Sequence, residues 1–356
     1  MTFGEASARK SGPIVRCAVV GVGYLGRFHA QKYAKLAADA SIAGQVEVVG
    51  VADADAARAQ AVGDEIKVRA FSTIDELLAL AKTGGLDAVT IAASTRAHYD
   101  LTKKFLSAGV HVNVEKPMTS TLEEGEEVVR LAQERGLVLQ VGHVERFNPA
   151  LIAAKEKLKL PLFIECHRLA PFKPRGVDVD VVLDLMIHDL DVILSLVKSK
   201  VKSVAAVGTP VLTPLVDIAN ARVEFESGTV ANITASRVSQ SATRKFRVFQ
   251  EKQYLSIDFG SGDVNLTTKT GAEWPEDISK VTDPAQLPLE LEHWSLEKGD
   301  ALLSETASFV KSCRGEMSVA VSGSDGLEAM RLASRIQEAI QKSLRARNEM
   351  QSTGAI

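Results

Sequence analysis

The stretch Ile14-Val15-Arg16-Cys17-Ala18-Val19-Val20-Gly21-Val22-Gly23-Tyr24-Leu25-Gly26 decides the fold. Its apolar half, Ile14–Val20, reads as a buried strand. Three glycines at G-x-G-x-x-G spacing follow and open a segment with helical periodicity, Tyr24–Ala38. Strand, glycine turn and helix in that order form the context in which the pattern marks a dinucleotide-binding loop. The first glycine permits a tight turn, the second lets backbone approach a pyrophosphate, and the third allows close packing of helix on strand. Free amides and the dipole at the helix start attract phosphate. Gly21, Gly23, Tyr24, Leu25 and Gly26 are therefore candidate cofactor contacts. Asp53, 27 residues past Gly26, ends the next apolar run and suits the two hydroxyls of an adenosine ribose. Its charge would repel a 2′-phosphate, which favours NAD over NADP, and Arg58 lies near enough to weaken that preference.

Working outward, apolar runs at Ile14–Val20, Val46–Ala52, Leu86–Ala92, Val110–Val114 and Leu137–Val141 alternate with helical patterns. The latter cover Tyr24–Ala38, Ala54–Glu65, Thr73–Ala81, Ala97–Ala108 and Leu122–Glu134, with Gly109 and Gly136 placed as C-caps. Such alternation predicts a doubly wound parallel sheet of the Rossmann kind. Asn148-Pro149 reads as an N-cap and N1 pair, and beyond it the pattern changes. A helix near Ala150–Leu158, a strand at Phe163–Leu169 and an apolar helix near Asp180–Val197 precede consecutive β segments from Lys202 to Leu266. Lys269–Leu289 reads as loop, and helices return near Glu297–Cys313 and Gly326–Leu344. The expected fold class is α/β: a Rossmann domain over 13–145, then an α+β domain over 146–356 with a largely antiparallel open sheet. Residues 1–12 read as a disordered leader.

The 356 residues exceed one ordinary core, and 46% hydrophobic with 24% charged residues suits a globular protein. A net charge of −3 supplies no attraction for nucleic acid or an anionic membrane. No stretch approaches the roughly 20 uncharged apolar residues of a membrane span, and no signal peptide is evident. Cys17, Cys166 and Cys313 lack metal-ligand spacing and read as reduced thiols, so the expected location is cytoplasmic and no metal is expected.

Two further features point to chemistry. Glu115-Lys116-Pro117 follows the run Val110–Val114, which puts Lys116 at the carboxyl end of a buried strand, the sheet edge where ligands bind. Asp180, Asp184, His188 and Asp191 recur at spacings of 4, 4 and 3, hence on one stripe of a regular helix. Their neighbours are apolar all round, so that helix should be buried, and either its polar stripe faces a cavity or it carries a core histidine held by a carboxylate one turn away.

With Gly21-x-Gly23-x-x-Gly26, Glu115-Lys116-Pro117, Arg146-Phe147-x-Pro149 and Asp184-x-x-x-His188 together, the chain resembles the glucose-fructose oxidoreductase/inositol dehydrogenase/rhizopine-catabolism (Gfo/Idh/MocA) superfamily over nearly its whole length. The resemblance implies an NAD(P)-dependent dehydrogenase acting on an alcohol. Lys116, Asp184 and His188 would then line the site beside the nicotinamide, and the open sheet would mediate a homodimer or homotetramer. The runs Val141–Pro149, Asp184–Asp191 and Val216–Arg222 look most like the bacterial UDP-N-acetylglucosamine 3-dehydrogenases. That similarity implies a sugar or sugar-nucleotide substrate oxidised to a 3-keto sugar and a downstream aminotransferase in lipid A diversification. Dehydrogenases of free cyclitols, free sugars or UDP-sugar acids share the fold, as do non-catalytic NAD-binding sensors.

Within this scheme His188 takes the hydroxyl proton, Asp184 orients it, and Lys116 polarises and positions the oxygen. Burial and a positive nicotinamide ring should lower the lysine from its ordinary ~10.4 toward the ~7–8 useful for proton transfer, so Lys116 is the alternative base. Ser94, Thr95 and His98, at the end of the fourth strand, and Glu115 join the expected cofactor pocket. Arg146, Asn148 and Arg168 are expected substrate contacts, with bracing of the domain junction as the other reading of Arg146 and Asn148 and a solvated surface as that of Arg168. His29, His111, His143 and His293 read as structural or surface residues.

Overall fold

The computed structural model describes residues 13–40, 44–173, 179–271, 273–275, 277–283, 286–297 and 299–352. The leader expected over 1–12 lies outside them. The chain forms two compact units, one comprising residues up to Gly142 together with Leu302–Ser324, the other His143–Ala301 together with the residues from Asp325. A single boundary near residue 145 therefore misses the return of Leu302–Ser324 to the first unit.

In the first unit, β1 (Val15–Val20), β2 (Val46–Ala52), β3 (Ala70–Phe71), β4 (Ala88–Ile91), β5 (His111–Val114) and β6 (Leu139–Val141) form a parallel sheet in the order β3-β2-β1-β4-β5-β6. The connecting helices are α1 (Tyr24–Ala38), α2 (Ala56–Ile66), α3 (Ile74–Lys82), α4 (Thr95–Ser107) and α5 (Leu122–Glu134). Strand order reverses between β1 and β4, and such a switch point opens a crevice at the carboxyl ends of the strands. Five of the six β1 residues are buried, as a strand covered on both faces requires. Gly109 and Gly136 take φ of 80° and 63° just past α4 and α5, a left-handed conformation that glycine adopts without strain. β3 escaped the sequence reading because two residues carry no period.

The second unit opens on α6 (Pro149–Lys155), capped by Asn148, whose Oδ1 accepts the Ala150 amide at 3.1 Å. β7 (Pro161–Leu169), β8 (Val201–Thr209), β9 (Ile218–Phe225), β10 (Val230–Ser236), β11 (Thr243–Gln250), β12 (Gln253–Asp258), β13 (Asp263–Lys269) and β14 (Leu289–Ser295) form one sheet, ordered β14-β13-β12-β11-β7-β10-β9-β8. Only β7 and β10 pair in parallel among these neighbours. Alternate residues such as Ile164, Cys166, Ala221, Val223, Ile233, Phe246 and Val248 enter the core, where α7 (Ile187–Leu196) and α9 (Gly323–Ser352) pack. α8 (Ala301–Cys313) instead contributes Phe309 and Val310 to the core of the first unit.

The Asp/His segment departs from the single regular helix expected. Val182–Met186 forms a π-helical turn before α7 begins. A wider turn interrupts the regular 3.6-residue period between Asp180 and His188. Among the described residues no helix is long and apolar enough to cross a membrane.

Candidate functional site

The glycine loop lies on the wall of a cleft of about 690 Å³ at the switch point. Gly21, Gly23, Asp53, Arg58, Ser72 and Ser94 are among its lining residues. Gly21 has φ of 82°, and a Cβ there would come 2.5 Å from the Ala93 amide nitrogen. A Cβ on Gly26 would lie 1.8 Å from the Gly21 carbonyl oxygen, so glycine is what lets α1 close on the loop. At Gly23 a Cβ would meet nothing within 4 Å. That glycine therefore leaves open space on the cleft wall, a cradle into which a pyrophosphate fits, and as the N-cap of α1 it has no side chain with which to cap the helix. Tyr24 and Leu25 occupy the first turn of α1 and are exposed.

Asp53 stands at the end of β2 as expected and does two things. Its Oδ2 accepts the Val22 amide at 2.7 Å, which ties the glycine loop to β2. Its Oδ1 accepts the Asp55 amide at 2.9 Å and Arg58 Nη1 at 3.3 Å. The carboxylate is thus prearranged at the cleft, with a cation beside it.

Across the sheet edge, Glu115-Lys116-Pro117 follows β5, with a cis Lys116–Pro117 peptide. Two expected pocket residues prove to be supports. His98 is buried, with Nδ1 at 2.8 Å from the Pro117 carbonyl and Nε2 at 3.0 Å from the Ala93 carbonyl. It ties the wall of the cleft to the Lys116 turn. The Glu115 carboxylate is turned to protein partners: its Oε1 lies 2.8 Å from His29 Nε2 and its Oε2 accepts the Lys116 amide at 3.2 Å. Thr95 begins α4 beside Ser94.

In the second unit the acidic residues of the Asp/His segment divide by role. Asp180 caps the segment, accepting the Val182 and Leu183 amides at 3.1 Å, and also accepts Gln337 Nε2 at 2.8 Å. Asp191 holds Arg146 through two bonds of 2.7 and 2.9 Å. Asp189 holds Arg168 through bonds of 2.9 and 2.8 Å, and Glu145 takes a third Arg168 nitrogen at 2.8 Å. Asp184, in the π turn, and His188, in the first turn of α7, are half-buried. His143 stands 6.5 Å from His188, ring perpendicular to ring.

These pairings correct three expectations. Arg168 is 4% exposed and enclosed by two carboxylates, which runs against both a substrate contact and a solvated surface. Arg146 and Asn148 brace the second unit internally, Asn148 also donating to Glu145 Oε2 at 3.1 Å. Of the expected stripe Asp180, Asp184, His188 and Asp191, Asp191 is a buried counter-ion to Arg146, and Asp189, outside that stripe, is the counter-ion to Arg168. Sequence reasoning also missed Ser72 and Thr73, which follow the unrecognised β3, and the burial of His29. One signal was available for His29: it stands one helical turn after Gly26, on the face that α1 buries.

Two family models match the chain: an oxidoreductase family with NAD-binding Rossmann fold over residues 15–143, and the GFO/IDH/MocA C-terminal domain over 170–256. The chain is 38% identical over 331 residues to a UDP-N-acetylglucosamine 3-dehydrogenase of Acidithiobacillus ferrooxidans, covering 93% of this chain and 98% of that protein. A solved structure of that enzyme superposes with a TM-score of 0.81 at 36% identity, over 92% of this chain and 98% of the other. A scyllo-inositol 2-dehydrogenase (NAD(+)) of Bacillus subtilis is 30% identical over 63% of this chain and 68% of its own length. A Lactobacillus casei scyllo-inositol dehydrogenase, solved with NAD(H) and scyllo-inositol, shares the fold at a TM-score of 0.71 and 21% identity, over 93% of this chain and 98% of that one.

Proposed function

We propose a function from the premise that the chain belongs to the Gfo/Idh/MocA family of NAD-binding oxidoreductases. It is an NAD-dependent dehydrogenase acting on a CH–OH group, and its substrate is a sugar nucleotide, UDP-N-acetylglucosamine, oxidised at C3 to the 3-keto sugar. The observation that carries the substrate is the 38% identity to an enzyme of that name across 93% of this chain and 98% of the other. The likeness to an inositol dehydrogenase is lower and shorter.

Gly21, Gly23, the first turn of α1, Asp53 and Ser94 hold the cofactor, and the fit rests on the open cradle at Gly23. NAD, when bound, supplies the hydride acceptor for the alcohol carbon. His188 removes the hydroxyl proton, Asp184 orients the ring, and Lys116 holds the oxygen. NAD is preferred to NADP because the Asp53 carboxylate faces the cleft; Arg58, 3.3 Å from it, tempers that preference. The product is a ketone on a sugar nucleotide, the kind of compound an aminotransferase consumes. The open face of the second sheet, with Phe163, Phe249 and Tyr254 clustered on it, supports a homodimer or homotetramer, which sedimentation velocity would register as a doubled or quadrupled mass.

The test is NADH formation with UDP-N-acetylglucosamine, its uronic acid, myo-inositol and free hexoses, each with a ketone trap to pull the uphill oxidation forward. Turnover confined to UDP-N-acetylglucosamine is expected. Turnover with a free polyol alone overturns the sugar-nucleotide reading, and silence throughout favours a sensor.

A further inference from the structure

Beneath the Lys116 turn lies a buried cluster that the reaction above does not use. His29 comes from α1, Glu115 from the end of β5 and Glu305 from α8; each offers a ligand-type atom within 4.8 Å of the others. All three are buried, His29 and Glu305 completely. Glu115 is gripped on three sides: by His29 at 2.8 Å, by the Lys116 amide at 3.2 Å, and by Gly142, where a Cβ would stand 3.0 Å from its Oε2. Any shift of this carboxylate is a shift of the residue that precedes Lys116.

We propose that His29 and Glu305 are positioning residues for Lys116, acting through the Glu115 carboxylate, His29 by its hydrogen bond and Glu305 by leaving His29 to Glu115 so long as it carries no charge. The proposal rests on the reading that Lys116 handles the substrate oxygen.

The charges fit together in one arrangement. Burial works against the Glu115 anion, yet His29 and Lys116 hold it below the ordinary carboxylate range. Burial likewise works against a charged His29, and Glu115, by bond and by charge, outweighs it and raises the ring. Glu305 sits differently. Its Oε1 accepts Asn113 Nδ2 at 3.3 Å, and its Oε2 has no hydrogen-bond partner among the described residues. A buried bare carboxylate oxygen is costly.

The groups around Glu305 are His29 and Tyr33 on α1, Glu115 and Asn113 on and just after β5, and Gln140 on β6, with Lys116 beyond Glu115. Burial first, and the Glu115 charge second, push Glu305 up to about 8; His29 and Asn113 pull the other way. Burial thus favours the neutral form of Glu305, which leaves His29 to Glu115. Above about pH 8 a second buried carboxylate competes for His29, and the grip on the turn loosens. Turnover should fall through that range although Glu305 touches neither substrate nor cofactor.

The experiment measures kcat, KM for the sugar nucleotide and KM for NAD from pH 6 to 10 on the full chain. In the wild type kcat should fall above about pH 8 while KM for NAD stays flat; a kcat that does not fall overturns the proposal without any variant. Glu305→Gln, which fixes the neutral form, should abolish that fall. His29→Phe should lower kcat about tenfold to a hundredfold with little change in either KM, and His29→Gln, which can still donate to Glu115, should recover part of the loss. A Glu305→Gln profile identical to wild type, or no difference between the two His29 variants, overturns it. So does a stoichiometric divalent metal whose chelation abolishes activity, since the three groups would then be ligands. Lys116→Met is assayed beside them: turnover retained there sinks the catalytic reading itself, whereas an inactive Lys116→Met with unperturbed His29 and Glu305 variants sinks only the positioning proposal.

Discussion

Gly23 and Gly26 carry the same residue for opposite reasons, and that difference is measurable. A methyl group on Gly23 would project into the open cleft, whereas one on Gly26 would overlap the Gly21 carbonyl oxygen at 1.8 Å. Gly23→Ala should therefore keep its melting temperature and weaken NAD binding about tenfold or more, a loss on the order of 1.4 kcal/mol. Gly26→Ala should lower the melting temperature itself, because backbone cannot move aside cheaply. Calorimetric titration with NAD and thermal unfolding separate the two, and equal losses of stability would contradict the cradle assignment. Lys116→Met and His188→Asn should each cut turnover about 10²–10⁴-fold and leave NAD affinity intact; near-normal turnover in either removes that residue from the chemistry. The glycines and Asp53 were legible because their roles are local. The role of His29 was not, since its partner Glu115 lies 86 positions away in sequence.

At the scale of elements, the segment carrying Asp184 and His188 is held by buried ion pairs rather than by packing alone. Asp191 binds Arg146 from the start of the unit, and Asp189 binds Arg168 on β7. Arg237, anchored to Asp217 at 3.0 Å, also donates to the Val179 carbonyl at the segment's entry. Removing one member of a buried ion pair strands the other charge, at a cost of about 3–5 kcal/mol. Arg168→Met leaves Asp189 without its cation and Glu145 with only the Asn148 amide, so it should destabilise the second unit by about that amount. Trp274 and Trp294, the two tryptophans of the chain, both lie in that unit, so their fluorescence in urea reports its unfolding. An unchanged midpoint with a raised KM for the sugar nucleotide would restore Arg168 to substrate binding. The helical character and burial of this segment were legible from its apolar surround. Its π-helical turn was not, because a five-residue widening leaves no mark on a hydrophobic period.

At the scale of the whole molecule, the chain passes from the first unit to the second near Gly142, returns at Leu302 and leaves again at Ser324. Class and strand alternation could be read from periodicity, which is a property of neighbours in sequence. The return could not, because a helix with one apolar face does not state which core it covers. Its necessity can be argued from what it supplies. α8 places Phe309 and Val310 in the core with Cys17, Tyr33 and Val51, and full burial of such side chains is worth about 1.5–3 kcal/mol each. The Val321 carbonyl accepts the Val141 amide at 3.0 Å beside β6, and Glu305 is the partner of the buried Asn113. Against a total stability of about 5–15 kcal/mol for an ordinary domain, these losses decide whether the sheet folds. A chain of residues 13–142 should therefore lack a cooperative thermal transition and bind no NAD. The same chain joined to 302–324 through a Gly/Ser linker should regain both, as followed by circular dichroism and calorimetry. Cooperative unfolding and NAD binding by 13–142 alone would mean that α8 is an addition to a self-sufficient cofactor domain, and that the Glu305 contact evolved on a core already complete without it.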